Sequence, residues 1–489
     1  MPGSLSGRNR WLALIVLCLG VLMIVLDTTI VNVALPSIRV DLGFSETSLV
    51  WVVNAYMLTF GGFLLLGGRL GDLYGHRKVF LVGITVFTLA SLACGLANTQ
   101  ERLVVARIVQ GLGGAIVNAV SLSLIMNLFT EEGERAKAMG VFGFVCAGGG
   151  SLGVLLGGVL TSVLNWHWIF LVNLPIGVAV YVLCFMLLPG GGGQKATGRL
   201  DLAGAVTVTA SLMLAVYAIV NGNEAGWNST QTIGLLSATA VLLAIFLAIE
   251  AKVQSPLMPL SLFRLRNIVV ANVAGVLWAA AIFGWFFMSA LYMQRVLGYT
   301  AMQVGLAFLP ANLIMALFSL GLSAKLVMRF GLRVPLAVGL LAAGFGLVLF
   351  ARAPVNGHFV ADVLPGMILL GLGAGIAFNP LLLAAMSDVA PSESGLASGV
   401  VNTAFMMGGA LGLAVLASSA ANHTGNLIAA GTDPVAALNS GYHLALGGGG
   451  LCAIVAGALG GLFLRRGRHA SAHELAQALG NSEGVAGIV

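Results

Sequence analysis

Fourteen times in 489 residues the chain runs for roughly twenty positions with almost no charge, and any fold must accommodate those runs. A helix needs about 20 apolar residues to cross the hydrocarbon of a bilayer. The runs fall at 11–35, 48–70, 78–98, 103–127, 137–162, 167–188, 201–221, 231–250, 268–292, 302–324, 334–352, 362–385, 396–419 and 442–464, and we number these spans in order. Charged residues make up 8% of the chain and hydrophobic ones 59%, whereas soluble domains carry about 25% charged residues. A soluble chain of this length could not hide so much apolar surface. The reading is an all-α polytopic membrane protein. Glycine, at 67 residues, has about twice its usual share. Small residues let membrane helices approach closely, although a GC-rich genome would raise glycine too.

The connections are short and hold the breakers: Gly75, Gly133, Gly190–Gly193, Pro256, Pro259, Gly331, Pro354 and Pro391. None is long enough for a folded soluble domain, and the tail after Arg465 is short. Cys18, Cys94, Cys146, Cys184 and Cys452 all lie in apolar runs and read as small core hydrophobes. They imply neither a disulfide framework nor a metal site. The chain has no P-loop, no HExxH and no GxSxG elbow, so no enzyme and no cofactor are expected. The first run is too long for a cleavable signal.

An even number of spans puts both termini on one side, and Lys and Arg decide which. On that side lie Arg8, Arg10, Arg69, Arg77, Lys78, Arg135, Lys137, Lys195, Arg199, Lys252, Arg264, Arg266, Lys325, Arg329, Arg333, Arg465, Arg466 and Arg468. The other side has only Arg39, Arg102, Arg295 and Arg352, and Arg107 falls inside span 4. This asymmetry predicts cytoplasmic termini. It also accounts for the net charge of +6 without a nucleic-acid partner.

The chain repeats itself. "GLGGAI" at 111–116 returns as "GLGAGI" at 371–376, and "RVDLGFS" at 39–45 resembles "RVLGYT" at 295–300. Gly140, Gly149, Gly150 and Gly153 return as Gly399, Gly408, Gly409 and Gly412. A near-constant offset in the right order indicates two homologous six-helix halves with spans 7 and 8 inserted between them. We therefore divide the chain into a first bundle at 1–190, a linker with two inserted helices at 191–255, a second bundle at 256–465 and a cytoplasmic tail at 466–489. Two such repeats around a midplane site form a common transporter architecture.

Several stretches carry chemistry. "LDTTIVNVALP" at 26–36 holds Asp27 inside the first span, where a charge costs about 2.5–3.5 kcal/mol on insertion scales. "RIVQGLGGA" at 107–115 holds Arg107, the strongly basic residue deep in a span. "GGRLGDLYGHRK" at 67–78 connects spans 2 and 3. There Gly68 and Gly75 permit a tight turn and close helix approach. Asp72 can pair with Arg77 or Lys78, or cap a helix of the other half, as a latch made in one conformation and broken in another. The plainer reading is a basic loop with an incidental acid. "GGGSLGVLLGG" at 148–158 puts Gly149, Gly153, Gly157 and Gly158 on span 5, which also reads as a general small-residue packing face. "NWHWIFLVNLPIG" at 165–177 enters span 6, with Trp166 and Trp168 suited to an interfacial belt. "NTAFMMGGALG" at 402–412 has Phe405, Met406 and Met407 at its centre; methionine surfaces adapt to varied ligands, and ordinary packing is the alternative.

Together these stretches resemble the major facilitator superfamily, and within it the fourteen-helix drug:proton antiporters. The departures are His76 and His167 where the family often has Arg, and Val154 where the antiporter motif usually has Pro. The resemblance implies two six-helix bundles plus two inserted helices, with spans 1 and 4 adjacent. Asp27 and Arg107 would then sense one another directly or through Gln110, Asn32 or water, as the proton-coupling pair. Burial favours a neutral acid, a neighbouring guanidinium favours the carboxylate, and a balanced site can take up and lose a proton; the alternative is a structural ion pair. The Gly-rich face of span 5 would pack against the other half. Thr28, Asn32, Asn54, Gln110, Asn118, Asn312, Asn379, Asn402 and Met406 are candidate cavity residues. The implied activity is proton-coupled efflux of hydrophobic or amphiphilic compounds by a monomer in the cell membrane. The alternative is an exporter or symporter of a specific metabolite, lipid or self-made antibiotic with the same fold. Spans 7 and 8 are expected outside the twelve-helix core, facing lipid.

Overall fold

A computed structural model describes residues 7–129, 131–188, 201–253, 256–387 and 394–464. The linker around Lys195 and Arg199, Pro391 and the tail with Arg465, Arg466 and Arg468 lie outside them, as do the side chains of Cys146 and Glu224. Among the described residues every regular element is helical. Fourteen helices match the fourteen runs. They are α1 (Gly7–Leu42), α2 (Trp51–Tyr74), α3 (His76–Gly95), α4 (Gln100–Leu128), α5 (Glu132–Val163), α6 (Trp168–Leu187), α7 (Leu202–Ala225), α8 (Thr230–Lys252), α9 (Arg266–Arg295), α10 (Ala301–Leu317), α11 (Arg333–Phe350), α12 (Leu364–Met386), α13 (Ser394–Ala429) and α14 (Pro434–Phe463). Twelve are long and apolar enough to cross a membrane. The remaining two are α5, 32 residues in all, and α10, which continues through a π-helical turn at Phe318–Leu322 into Ser323–Phe330. Helix ends are set by local chemistry. Thr99, Asp201, Ser229 and Asp433 cap the N-termini of α4, α7, α8 and α14, and Thr300 with Gln303 forms a capping box on α10, each satisfying amides that the first turn leaves free.

The repeated glycines meet equivalent neighbours in the two halves. A Cβ on Gly111 of α4 would lie 2.5 Å from the Tyr56 carbonyl of α2, and one on Gly113 would lie 2.6 Å from the Phe87 amide of α3. In the second half, Gly371 of α12 abuts the Ala311 backbone of α10, and Gly373 abuts Gly339 and Ala343 of α11. Likewise Gly149 and Gly153 of α5 face Val25 and Leu26 of α1, while Gly408 and Gly412 of α13 face Val276 and Ala280 of α9. The halves then join through two related pairs, α2 with α13 and α5 with α10. At the end remote from the termini, Gln294 donates to the Val33 carbonyl at 2.9 Å and the Met302 amide donates to Ser162 Oγ at 3.0 Å. There Arg295 pairs with Glu46, which also holds Arg39 at 3.1 Å. Among the described residues, Glu46–Arg295 is the ion pair that joins the halves.

The inserted helices differ from one another. α7 packs on both α2 and α13, and Ser418 donates to the Ile219 carbonyl at 3.0 Å, so it covers the seam between the halves. α8 packs on α7 and is otherwise largely exposed. The lipid-facing expectation therefore describes α8 better than α7. Asp201 and Glu250, separate in sequence, are buried side by side, with a carboxyl oxygen of each against Gly204. Asp201 caps Gly204 at 2.8 Å, and Glu250 accepts from the Met258 amide at 3.0 Å in the connection to the second half.

Candidate functional site

Asp27 lies twenty residues into α1, about 30 Å along the helix at 1.5 Å per residue, and is fully buried. Arg107 of α4 is 1% exposed and donates from a terminal guanidinium nitrogen to Asp27 Oδ2 at 2.5 Å. Gln110, one turn further along α4, donates to Asp27 Oδ1 at 2.7 Å and accepts from Arg107 at 2.7 Å. The (i, i+3) spacing puts both side chains on one face. Two further helices close the cluster. Ser91 of α3 accepts from Gln110 at 2.9 Å, and the Cys94 thiol reaches Gln110 Oε1 at 3.5 Å. Asn173 of α6 approaches Asp27 Oδ1 at 3.3 Å and Ser91 at 3.4 Å. The backbone of α6 is interrupted at Val172, and Pro175 falls in the first turn of its longer piece, where an amide would have no helical partner. That break places Asn173 at a helix start facing α1.

Glycine sets how close α4 comes to α2. Gly111 follows Arg107 by one turn on the same face and rests on the Tyr56 backbone. Arg107 Nε then reaches the Val52 carbonyl, one turn before Tyr56, at 2.8 Å. The guanidinium also lies over the Tyr56 ring at 4.3 Å and within 5.7 Å of Phe170, a favourable cation–aromatic arrangement. The carboxylate, guanidinium and amide are thus all paired inside the first bundle. The Tyr56 hydroxyl, buried beside them, has no partner.

The other expected residues divide among several places. Asn32 is buried but turns back to the Thr28 and Thr29 carbonyls at 3.3 Å, and Thr28 bonds Val25 O at 2.8 Å, so neither relays Asp27 to Arg107. A helical carbonyl one turn away outcompetes a partner on another helix. Asn54 crosses between the halves to the Ala410 carbonyl at 2.8 Å. Asn379 ties α12 to the Ser319 carbonyl at 2.8 Å. Met406 meets Gly61 of α2, and Asn118 and Asn402 are half-buried. Asn312 is 1% exposed, and neither amide atom has a partner.

Two motifs are used differently from expectation. In the 67–78 connection, Asp72 pairs with His76 at 3.3 Å rather than with Arg77 or Lys78 or the other half. Arg77 turns instead to the end of α6, where it donates to the Phe185 carbonyl and stands 5.1 Å over its ring; Lys78 is exposed. Gly75, at φ 93°, makes the turn, a left-handed geometry that favours glycine. Gly68 faces open space, and the close approach falls to Gly67 against Ile116 and Ala115. On α5, Gly149, Gly153 and Gly157 pack on α1 of the same half; Gly158 alone of the four meets the other half, at Ala301 and Met302. Val154 is buried, and its carbonyl lies against Gly305 of α10. Trp166 is buried, donating to Asp41 at 2.8 Å, while Trp168 is exposed as a belt residue would be.

Sequence reasoning missed Ser91, Cys94 and Asn173. Asn173 was marked only by an isolated amide in an apolar run, and Ser91 and Cys94 by the same (i, i+3) spacing as Arg107 and Gln110.

Residues 17–413 match the Major Facilitator Superfamily. The puromycin resistance protein of Streptomyces alboniger is 40% identical over 438 residues, 89% of this chain and 87% of its own. The cephamycin export protein of Amycolatopsis lactamdurans is 40% identical over 83% of this chain and 84% of its own. The lincomycin resistance protein of Streptomyces lincolnensis is 37% identical over 84% of each. Among solved structures, an inward-facing, occupied bacterial homolog of the human lysosomal transporter Spinster superposes with a TM-score of 0.68, at 15% identity over 94% of this chain and 98% of its own. With its repeated bundles, buried intramembrane charges and apolar helices, the chain is a multi-pass membrane transporter, not an enzyme, and belongs to the major facilitator superfamily.

Proposed function

We propose that the protein exports hydrophobic or amphiphilic drugs in exchange for protons, by alternating access. The observation that carries this reading is the Asp27 carboxylate, fully buried and shared among Arg107, Gln110 and Asn173 from two other helices. Buried ion pairs are poor stabilisers, and ionisable groups within the membrane mark transport pathways. A proton arriving from outside neutralises Asp27 and releases Arg107 and Gln110 to other partners, which repacks α1 against α4. Loss of the proton to the cytoplasm restores the pairing. One charge crossing 100 mV supplies about 2.3 kcal/mol, enough for one proton to drive a useful gradient of a neutral compound. The basic residues at the ends of the spans support cytoplasmic termini in the cell membrane. A monomer suffices, and no cofactor beyond the proton gradient is required.

The test is substrate-induced proton movement by purified protein in liposomes, with a pH gradient of either sign. Export coupled to protons in the wild type and lost in Asp27→Asn is the expected result. Gradient-independent transport, or equal coupling in the variant, would overturn the reading. A narrower cargo, one particular antibiotic, is favoured by the puromycin, cephamycin and lincomycin names of the relatives. A resistance screen in a sensitive host separates broad from narrow export.

A further inference from the structure

The second half carries a set of polar groups that its own packing leaves unused. Trp285 of α9 is 1% exposed, and its indole N–H has no partner. Asn312 of α10 is equally buried, with both its oxygen and its nitrogen unpaired. Trp285 belongs to an aromatic cluster that reaches α10. Trp285 meets Phe308 edge-on at 5.2 Å and Phe286 at 4.4 Å, and Phe286 stacks on Phe308 at 5.5 Å. Asn312 follows Phe308 by one helical turn, on the same face of α10. Orphaned buried polar groups are rare in native folds, and a bound partner is one reason for their retention. Charge is missing from the same region: among the described residues, the nine-tenths buried ions are Asp27, Arg107, Asp201 and Glu250, and none belongs to α9–α14.

We propose that Trp285 and Asn312 bind the exported substrate, and that this half selects neutral, planar aromatic compounds carrying both a hydrogen-bond donor and an acceptor; this rests on the export reading above. The ligand parts the edge contact between Trp285 and Phe308 and offers a ring to the aromatic walls. Its acceptor takes the indole N–H, and its amide or hydroxyl pairs with both sides of the Asn312 carboxamide. A permanent cation would find no counter-charge here, and a buried unpaired charge is costly.

The experiment measures binding, not transport, with full-length protein in lipid nanodiscs. The probes are chloramphenicol and 2-naphthamide, with N-methylquinolinium as a permanent cation and 2-methylnaphthalene as a ring without polar groups. Saturable binding of the two neutral amides is expected, each at least about tenfold tighter than the cation or the hydrocarbon, the factor of one hydrogen bond. Asn312→Leu and Trp285→Phe should each weaken the amides about tenfold and leave 2-methylnaphthalene unchanged. Asn312→Leu removes no hydrogen bond within the protein, so its thermal midpoint should stay level or rise, whereas a structural asparagine would lower it. Equal amide binding in the variants, a fall in midpoint with Asn312→Leu, equal binding of the cation, or no saturable amide binding by the wild type would each overturn the proposal. The expected binding pattern without proton-driven uptake in liposomes would support this site and overturn the export reading.

Discussion

Removing the charge of Asp27 should expose how strongly the four-helix cluster is coupled. Asp27→Asn keeps the shape of the side chain but leaves Arg107 buried at 1% exposure without its counter-ion. Breaking one partner of a buried pair costs about 3–5 kcal/mol. Arg107 keeps the Val52 carbonyl at 2.8 Å, Gln110 at 2.7 Å and the Tyr56 ring at 4.3 Å, with the ring contact offsetting about 1–2 kcal/mol. The single variant should therefore lose about 1–4 kcal/mol. Arg107→Gln should lose a similar amount, because Asp27 then retains only Gln110 and Asn173. In Asp27→Asn/Arg107→Gln no charge remains, and amides face amides. The double variant should cost less than the sum of the singles by about 2–3 kcal/mol, well outside the ~0.5 kcal/mol scatter of independent sites. Equilibrium unfolding of purified protein in mixed micelles, by titration with sodium dodecyl sulfate, gives all three values. Additivity within that scatter would refute a coupled ion pair and leave Asp27 and Arg107 as separate residues.

Other outcomes follow from the same geometry. Arg107→Ala should impair transport more than Arg107→Lys, since a lysine keeps the charge but cannot reach Val52, Gln110 and Asp27 together; equal, near-wild-type transport in both would remove Arg107 from the coupling. A Cβ on Gly157 would lie 2.5 Å from the Ile30 carbonyl, and one on Gly153 would collide with Thr29, so Gly153→Ala and Gly157→Ala should each destabilise by about 1–3 kcal/mol. Gly68→Ala, facing open space, should stabilise α2 by about 0.5–1 kcal/mol, and thermal midpoints rank the three. Glu46→Arg should open the end remote from the termini, raising maleimide labelling of a cysteine placed at Met288, and adding Arg295→Glu should restore closure by giving Arg39 and the new arginine a shared carboxylate. Labelling unchanged by the single variant would show that this bridge does not hold the halves together.

All fourteen helices were legible from hydropathy alone, because a span must be long and apolar whatever it packs against. α10 was legible as a run even though it continues through a π-helical turn. The repeat was legible because the two halves keep glycine at several equivalent close approaches, Gly111 and Gly371, Gly113 and Gly373, and Gly153 and Gly412 among them. Asp27 and Arg107 stood out for the cost of a charge in hydrocarbon. Their partners did not: Asn173 and Ser91 are cheap, common polar residues, and only the packing of α6 on α1 and of α3 on α4 brings Asn173 to the carboxylate and Ser91 to Gln110. The choice of Asp72 for His76, the turning of Asn32 to its own helix, and the meeting of Asp201 and Glu250 across 49 residues were likewise decided by side-chain reach after packing. The α5 glycines show the same division. Their spacing announces a helix that will be approached closely, but which helix comes close, α1 at Gly149, Gly153 and Gly157 and α10 at Gly158, is a property of the bundle. Periodicity and transfer energy are local and belong to the chain by itself. The identity of a partner depends on crossing angle and depth, which exist only once the helices are assembled.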